Sequence, residues 1–192
     1  MNGTRQLHVL AIAGSLRKES YNKRALLLAA NIARESGATV TIAENELLQL
    51  PLFNEDTLGE QLPNSVLQLK ETIQWADAIL IATPEYNHSI PGILKNALDW
   101  ASIQMNPFNG KVGAIFGASI GINGSLRAQL HLRQILTALG VHVIEQPQVF
   151  VRNAAHAFTP EGLLVDKQDE QLLTQLIEKT LNITELLKKG LP

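Results

Sequence analysis

The chain has 192 residues, 45% of them hydrophobic and 18% charged, with a formal net charge of −2. Those are the proportions of an ordinary globular protein, read as a single domain over 1–192 that can bury a core without staples. The lack of cysteine excludes disulfides, thiolate nucleophiles and iron–sulfur clusters, and the even spread of charge offers neither a nucleic-acid footprint nor a polybasic membrane patch.

The N-terminal apolar run is broken by Gly14 and Arg17. It is too short to span a membrane and makes a poor signal peptide, so a cytoplasmic location is expected by default. Residues 7–13, LHVLAIA, read as a strand buried on both faces. Over 20–36 the residues Ala25, Leu28, Ala29 and Ile32 fall at helical spacing, with Gly37 as a stop. ATVTIA (38–43) is β-branched and predicts a second strand. Residues 51–64, with prolines and Gly59, form the longest loop. A helix over 65–75 leads into a third buried strand, DAILIAT (77–83).

Residues 91–103 predict a helix that opens on Pro91, and KVGAIFGAS (111–119) a fourth strand. A helix over 124–139 stops at Gly140. VHVI (141–144) and QVFV (148–151) supply a fifth strand interrupted by Pro147. The last helix spans 167–188, with an apolar stripe at Leu172, Leu176, Ile183 and Leu187, and the tail 190–192 is expected to fray. Apolar strands alternating with amphipathic helices mean an α/β fold: a parallel sheet covered on both faces, with five strands in the order 2-1-3-4-5. In such sheets ligands sit at the carboxyl ends of the strands, near the point where the order reverses.

Three segments carry polar chemistry at those ends. The first follows strand 1: Gly14-Ser15-Leu16-Arg17, then Ser20 and Asn22. It is not GxGxxG, so the dinucleotide fingerprint is absent. Its hydroxyls, carboxamide, guanidinium and helix-start amides suit a monophosphate. The plainer reading is that Ser20 only caps the helix and Arg17 is solvated. The second, Thr83 to Gly92, is stiffened by two prolines. Tyr86 could pack on a flat ring there, with the amides near Glu85 to Asn87 bonding its edge, or could be a surface aromatic on a rigid turn. The third, Gly117 to Gly124, is built of small residues that let backbone approach a ligand. It also matches G-x-S-x-G, the serine-hydrolase elbow. Only Glu145 then His156 follow Ser119 in triad order, at a tight separation. The five histidines fall in neither HxxxH nor HxH spacing, so no metal site is expected.

The first segment, together with the run Pro84-Glu85-Tyr86-Asn87-His88-Ser89 continuing as Pro91-Gly92-Ile93-Leu94-Lys95-Asn96-Ala97-Leu98-Asp99-Trp100, resembles the NADPH-dependent FMN reductase family over roughly 7–150. Arg127-Ala128-Gln129 and His131-Leu132-Arg133-Gln134 are similar to its chromate and quinone reductase branch. The resemblance implies a flavodoxin-like three-layer sandwich, FMN as prosthetic group and NADPH or NADH as co-substrate. The acceptor would be a quinone, free flavin, an azo compound or chromate, and the assembly a homodimer or homotetramer. It carries phosphate contacts to Ser15, Arg17, Ser20 and Asn22. Ring contacts go to Pro84, Glu85, Tyr86 and Asn87, and the approach of Ser119 and Gly121 to the ring or ribityl chain also follows. Donor and acceptor would take turns at one open flavin face. No side chain is named as catalytic, because the cofactor carries the chemistry. Two readings stay beside this one: a flavodoxin-type electron carrier without its own NAD(P)H site, and a serine hydrolase using Ser119. Trp100 falls off the Leu94, Leu98, Ile103 stripe of its helix. It is either an exposed interface anchor or packed under the 51–64 loop.

Overall fold

A computed structural model describes residues 6–43, 50–58 and 62–190. Part of the 51–64 loop and the last two residues of the tail lie outside these. In chain order the elements are β1 (His8–Ala13), α1 (Tyr21–Glu35), β2 (Thr39–Ile42), a 3-10 turn (Glu55–Thr57), α2 (Asn64–Trp75), β3 (Ala78–Ala82), α3 (Gly92–Ser102), β4 (Val112–Ala118), α4 (Leu126–Ala138), β5 (His142–Val143), β6 (Val149–Val151) and α5 (Lys167–Lys189).

All strand pairings in the sheet are parallel, in the order β2-β1-β3-β4-β5. The expected order therefore holds, with one strand more than expected. The interrupted fifth strand is two: β5 pairs with the start of β4 at Val112 and Gly113, and β6 with its end from Phe116 to Ala118. Pro147 lies between them and has no N–H to continue a ladder.

The central strands bury alternate residues on opposite faces, as the two-residue period requires. Val9, Ala11, Ala13, Leu80, Ala82, Ala114 and Phe116 pack on α1 and α5, while Leu10, Ile12, Ile79, Ile81 and Ile115 pack on α2, α3 and α4. On the first face the seam with α1 is lined by alanines. Ala25, Ala29 and Ala33 of the helix belong to the same cluster as Ala11, Ala13, Ala78 and Ala82 of the sheet.

One helix buries different residues from those expected, and in another the structure decides between the two readings of Trp100. In α5 the buried face runs through Leu173, Leu176, Ile177, Thr180, Leu181 and Thr184, while Leu172, Ile183 and Leu187 are only partly buried. The two threonines are tolerated there because each hydroxyl donates to a carbonyl one turn back, Leu176 and Thr180, both at 2.7 Å. Trp100 is fully buried, not an exposed anchor. It meets Phe53 edge-on at 5.1 Å, and its indole N–H donates to the Pro51 carbonyl at 2.8 Å. The loop thus lies over α3, with Asn96 bonded to Pro51 and to the Phe53 amide. Lys70 of α2 closes the C-terminal end of α3 from the other side. Its ammonium donates to the carbonyls of Ala101, Ile103 and Met105, where the helix dipole favours a cation, and burial lowers its pKa.

Candidate functional site

The loops after β1, β3 and β4 leave adjacent strands at one edge of the sheet, either side of the β1/β3 reversal. Gly14 is where the first two meet. Its amide donates to the Ala82 carbonyl at 2.9 Å, and a side chain there would press on Leu94 at 3.2 Å and Pro84 at 3.4 Å.

In the first loop Ser20 caps α1, its hydroxyl accepting from the Asn22 amide at 3.2 Å. Ser15 is buried, with its hydroxyl 3.4 Å from the Arg17 amide. Among the described residues, no protein acceptor meets the amides of Leu16, Lys18 and Glu19, while that of Ser20 closes the turn over Lys18 and Glu19. Arg17 is exposed. Its guanidinium donates to the Glu19 carbonyl at 3.1 Å and lies 5.6 Å from the ring of Tyr21, which stacks on Phe158. Free amides at a helix start, two hydroxyls and a cation form an anion-binding donor set, and a phosphate monoester fits it. Asn22 differs from the others. Its side chain is buried, with both polar groups bonded to the main chain of Ala118 at 2.9 Å.

The second loop turns at Tyr86-Asn87-His88-Ser89. Tyr86 and Ser89 exchange main-chain bonds at 2.9 and 3.1 Å, and Asn87 and His88 both have positive φ, 49° and 64°. This is a tight primed turn, made here without glycine. It leaves Tyr86 and Asn87 on the surface beside buried Pro84. Glu85 points the other way. Its carboxylate accepts from the amides of Arg127 at 2.9 Å and Ala128 at 3.3 Å, and from the Arg127 guanidinium at 3.2 Å. It thereby caps α4, whose own N-cap residue, Ser125, makes no side-chain cap. Burial pushes the Glu85 carboxyl up, but the two amides and the guanidinium outweigh it and hold its pKa below the usual glutamate value.

The third loop is pinned by Ser119, whose amide donates to Val151 and whose carbonyl accepts from Ala154, both at 3.0 Å. Its hydroxyl accepts from the Gly121 amide at 3.2 Å. Gly121 is exposed between Ile120 and Ile122, which are 72% and 84% exposed and give this lip of the site an apolar surface. Where this loop begins, Gly117 admits no side chain: a Cβ would stand 2.1 Å from the Ser125 hydroxyl and 2.2 Å from the Thr83 carbonyl. The hydrolase geometry is not built. Among the described residues the histidine ring bonded to a serine is that of His131, on Ser89 at 3.0 Å, not on Ser119.

The fold thus brings Ser15, Arg17 and Ser20 to one rim, and Tyr86, Asn87, Ser119 and Gly121 to the facing loops. It turns the Asn22 and Glu85 side chains inward as ties between elements. The Tyr21–Phe158 stack and the Glu85–Arg127 pair bring together residues far apart in the chain, so no local signal marked them. Among the described residues no group of three or more His, Asp or Glu side chains could hold a metal ion, and no helix is long and apolar enough to cross a membrane.

The family model for NADPH-dependent FMN reductase matches residues 7–156. An NAD(P)H-dependent FMN reductase of Pseudomonas aeruginosa is 44% identical over 173 residues, covering 90% of this chain and 92% of that protein. An NADPH:quinone oxidoreductase of Arabidopsis thaliana is 39% identical over 175 residues, covering 89% and 88%. Among solved structures, the flavoenzyme NAD(P)H:(acceptor) oxidoreductase FerB of Paracoccus denitrificans superposes with a TM-score of 0.84 at 31% identity, covering 93% of this chain and 97% of that one.

Proposed function

This chain belongs to the NADPH-dependent FMN reductase family, and on that premise we propose that it is an FMN-containing reductase passing electrons from NAD(P)H to small acceptors, quinones first among them. The observation that carries this is the anion-binding donor set at the start of α1, placed at the strand-order reversal and faced by two loops from neighbouring strands. The chemistry that FMN supplies when bound is two-electron redox transfer from the reduced nicotinamide to the acceptor.

The chain's own residues bind and orient. Ser15, Arg17, Ser20 and the free amides between them hold the phosphate, with Arg17 leaving Tyr21 to add a charge-assisted bond. Tyr86 and Asn87, on their stiff turn beside Pro84, form the platform for the ring, and the Glu85 main chain borders it. Gly121, held by Ser119, lets backbone come close, and Ile120 and Ile122 keep water off that side. Azo compounds, which take two electrons per step, and chromate, whose Cr(VI) needs three electrons to reach Cr(III) and so more than one turnover of the flavin, are further acceptors. Residues 1–192 act as one domain, in the cytoplasm, as a homodimer or homotetramer.

The test is the spectrum and turnover of the purified protein supplied with FMN. We expect a bound-flavin band that NAD(P)H alone bleaches, and parallel double-reciprocal lines when a quinone is varied at fixed NAD(P)H concentrations. A bound flavin that NAD(P)H cannot bleach would make the chain an electron carrier, and failure to bind FMN would remove the reading altogether.

A further inference from the structure

Asn22 lies in the first turn of α1, two residues past the cap, and only 3% of its surface is exposed. Its Nδ2 donates to the Ala118 carbonyl and its Oδ1 accepts from the Ala118 amide, each at 2.9 Å, across 96 residues of sequence. Ala118 needs such a partner because of the sheet's register. β3 pairs with β4 only as far as Ala82 opposite Phe116, and Thr83 then donates to Phe116 and leaves. On its other side β4 continues beside β6 to Val151. The side of Ala118 toward β3 thus has no strand to meet it, and a buried peptide group left without partners is costly. The Asn22 carboxamide stands where the next peptide of β3 would have been.

The two ends of this tie have different tasks. Asn22 belongs to the helix start that bears the phosphate donors, and Ala118 is the residue before Ser119, where the loop facing the ring begins. We propose that Asn22 is a positioning residue that couples the phosphate loop to the ring loop and does not itself touch the phosphate. The proposal rests on the FMN reading above and assigns Asn22 a role distinct from that of Ser15, Arg17 and Ser20. A phosphate arriving at the first loop fixes the start of α1, and through Asn22 it fixes Ala118 and the loop beyond. Binding at one subsite therefore lowers the ordering cost at the other.

Riboflavin, which has the ring but no phosphate, separates the two roles. Dissociation constants for FMN and riboflavin are measured by flavin-fluorescence quenching on the wild type, Asn22→Ala and Arg17→Ala. Arg17→Ala should weaken FMN by roughly ten- to a hundredfold and leave riboflavin within about twofold. Asn22→Ala should weaken both by a common factor, roughly tenfold. Loss of FMN with riboflavin unchanged would make Asn22 a phosphate ligand and overturn the proposal, as would no change in either. Amide exchange of the flavin-free protein gives a readout independent of the cofactor: Ala118 should exchange faster in Asn22→Ala, and unchanged protection would also overturn it. Should that variant fail to fold, the wild type decides. Saturating inorganic phosphate should tighten riboflavin binding at least about threefold, and an unaltered constant refutes the coupling. A wild-type chain that binds neither flavin, while Ala118 exchange still depends on Asn22, would remove the functional reading and leave the structural tie standing.

Discussion

Trp100 offers the most direct test of how the core supports the site. It has no exposed surface, meets Phe53 edge-on at 5.1 Å and bonds Pro51 at 2.8 Å. Truncating a buried tryptophan to alanine costs about 3–5 kcal/mol. Of that, the aromatic pair accounts for about 0.5–1.5 kcal/mol and the hydrogen bond for about 1 kcal/mol. The Pro51 carbonyl is not orphaned by the loss, because Asn96 Nδ2 also donates to it at 2.8 Å. Trp100→Phe, which keeps most of the volume and an aromatic face, should therefore cost only about 1–2 kcal/mol. At roughly 2–4 °C per kcal/mol for a chain of this size, Trp100→Ala lowers Tm by about 6–20 °C and Trp100→Phe by about 2–8 °C. Thermal and urea denaturation followed by circular dichroism, with sedimentation of the same samples, measure these effects. A phenylalanine variant as damaged as the alanine one would show that the bond to Pro51, not packing, dominates. A folded alanine variant of normal stability but altered assembly would contradict the burial of Trp100.

The lowered pKa of Glu85 carries a pH signature. The carboxylate stabilises the fold above the ordinary glutamate range, and that contribution is lost as pH falls through the depressed value. Glu85→Gln should thus be less stable than wild type near neutrality, with the gap closing on acidification; a gap in urea midpoint that stays constant with pH refutes this. Gly117→Ala must displace Thr83 backbone or Ser125 and should cost about 1–3 kcal/mol by chemical denaturation, whereas a neutral result would mean the two loops give way freely. Ser119→Ala should fold normally, and neither it nor the wild type should hydrolyse p-nitrophenyl esters above background. Esterase activity abolished by the substitution would restore the hydrolase reading.

The strands were legible because parallel strands covered on both faces are continuous apolar runs, as LHVLAIA and DAILIAT are. The positions of the three loops followed from topology alone. What was not legible depended on partners distant in sequence. An apolar count misplaced the buried face of α5, since it scores Thr180 and Thr184 as polar although their hydroxyls are satisfied within the helix. Helical spacing assigned α3 one buried stripe, but the loop over 50–58 covers a second side and takes Trp100 with it. The motifs around Asn22 and Glu85 were placed in loops at the strand ends, and the structure has both there. That both side chains turn inward depends on where β3 leaves β4 and on an α4 start without a cap of its own.

The alanine-lined seam beneath α1 has a consequence at the far end of that helix. Methyl groups facing methyl groups let a helix ride low on a sheet, and the height of α1 sets where its first amides stand relative to the strand ends. A larger residue at Ala29 would act as a shim, tilting the axis and lifting the donors away from the facing loops. Steric fit in the middle of the molecule and grip on a ligand at its edge are then one adjustable quantity, and a search for heat-resistant variants that thickened this seam would select against cofactor retention without touching a single ligand contact.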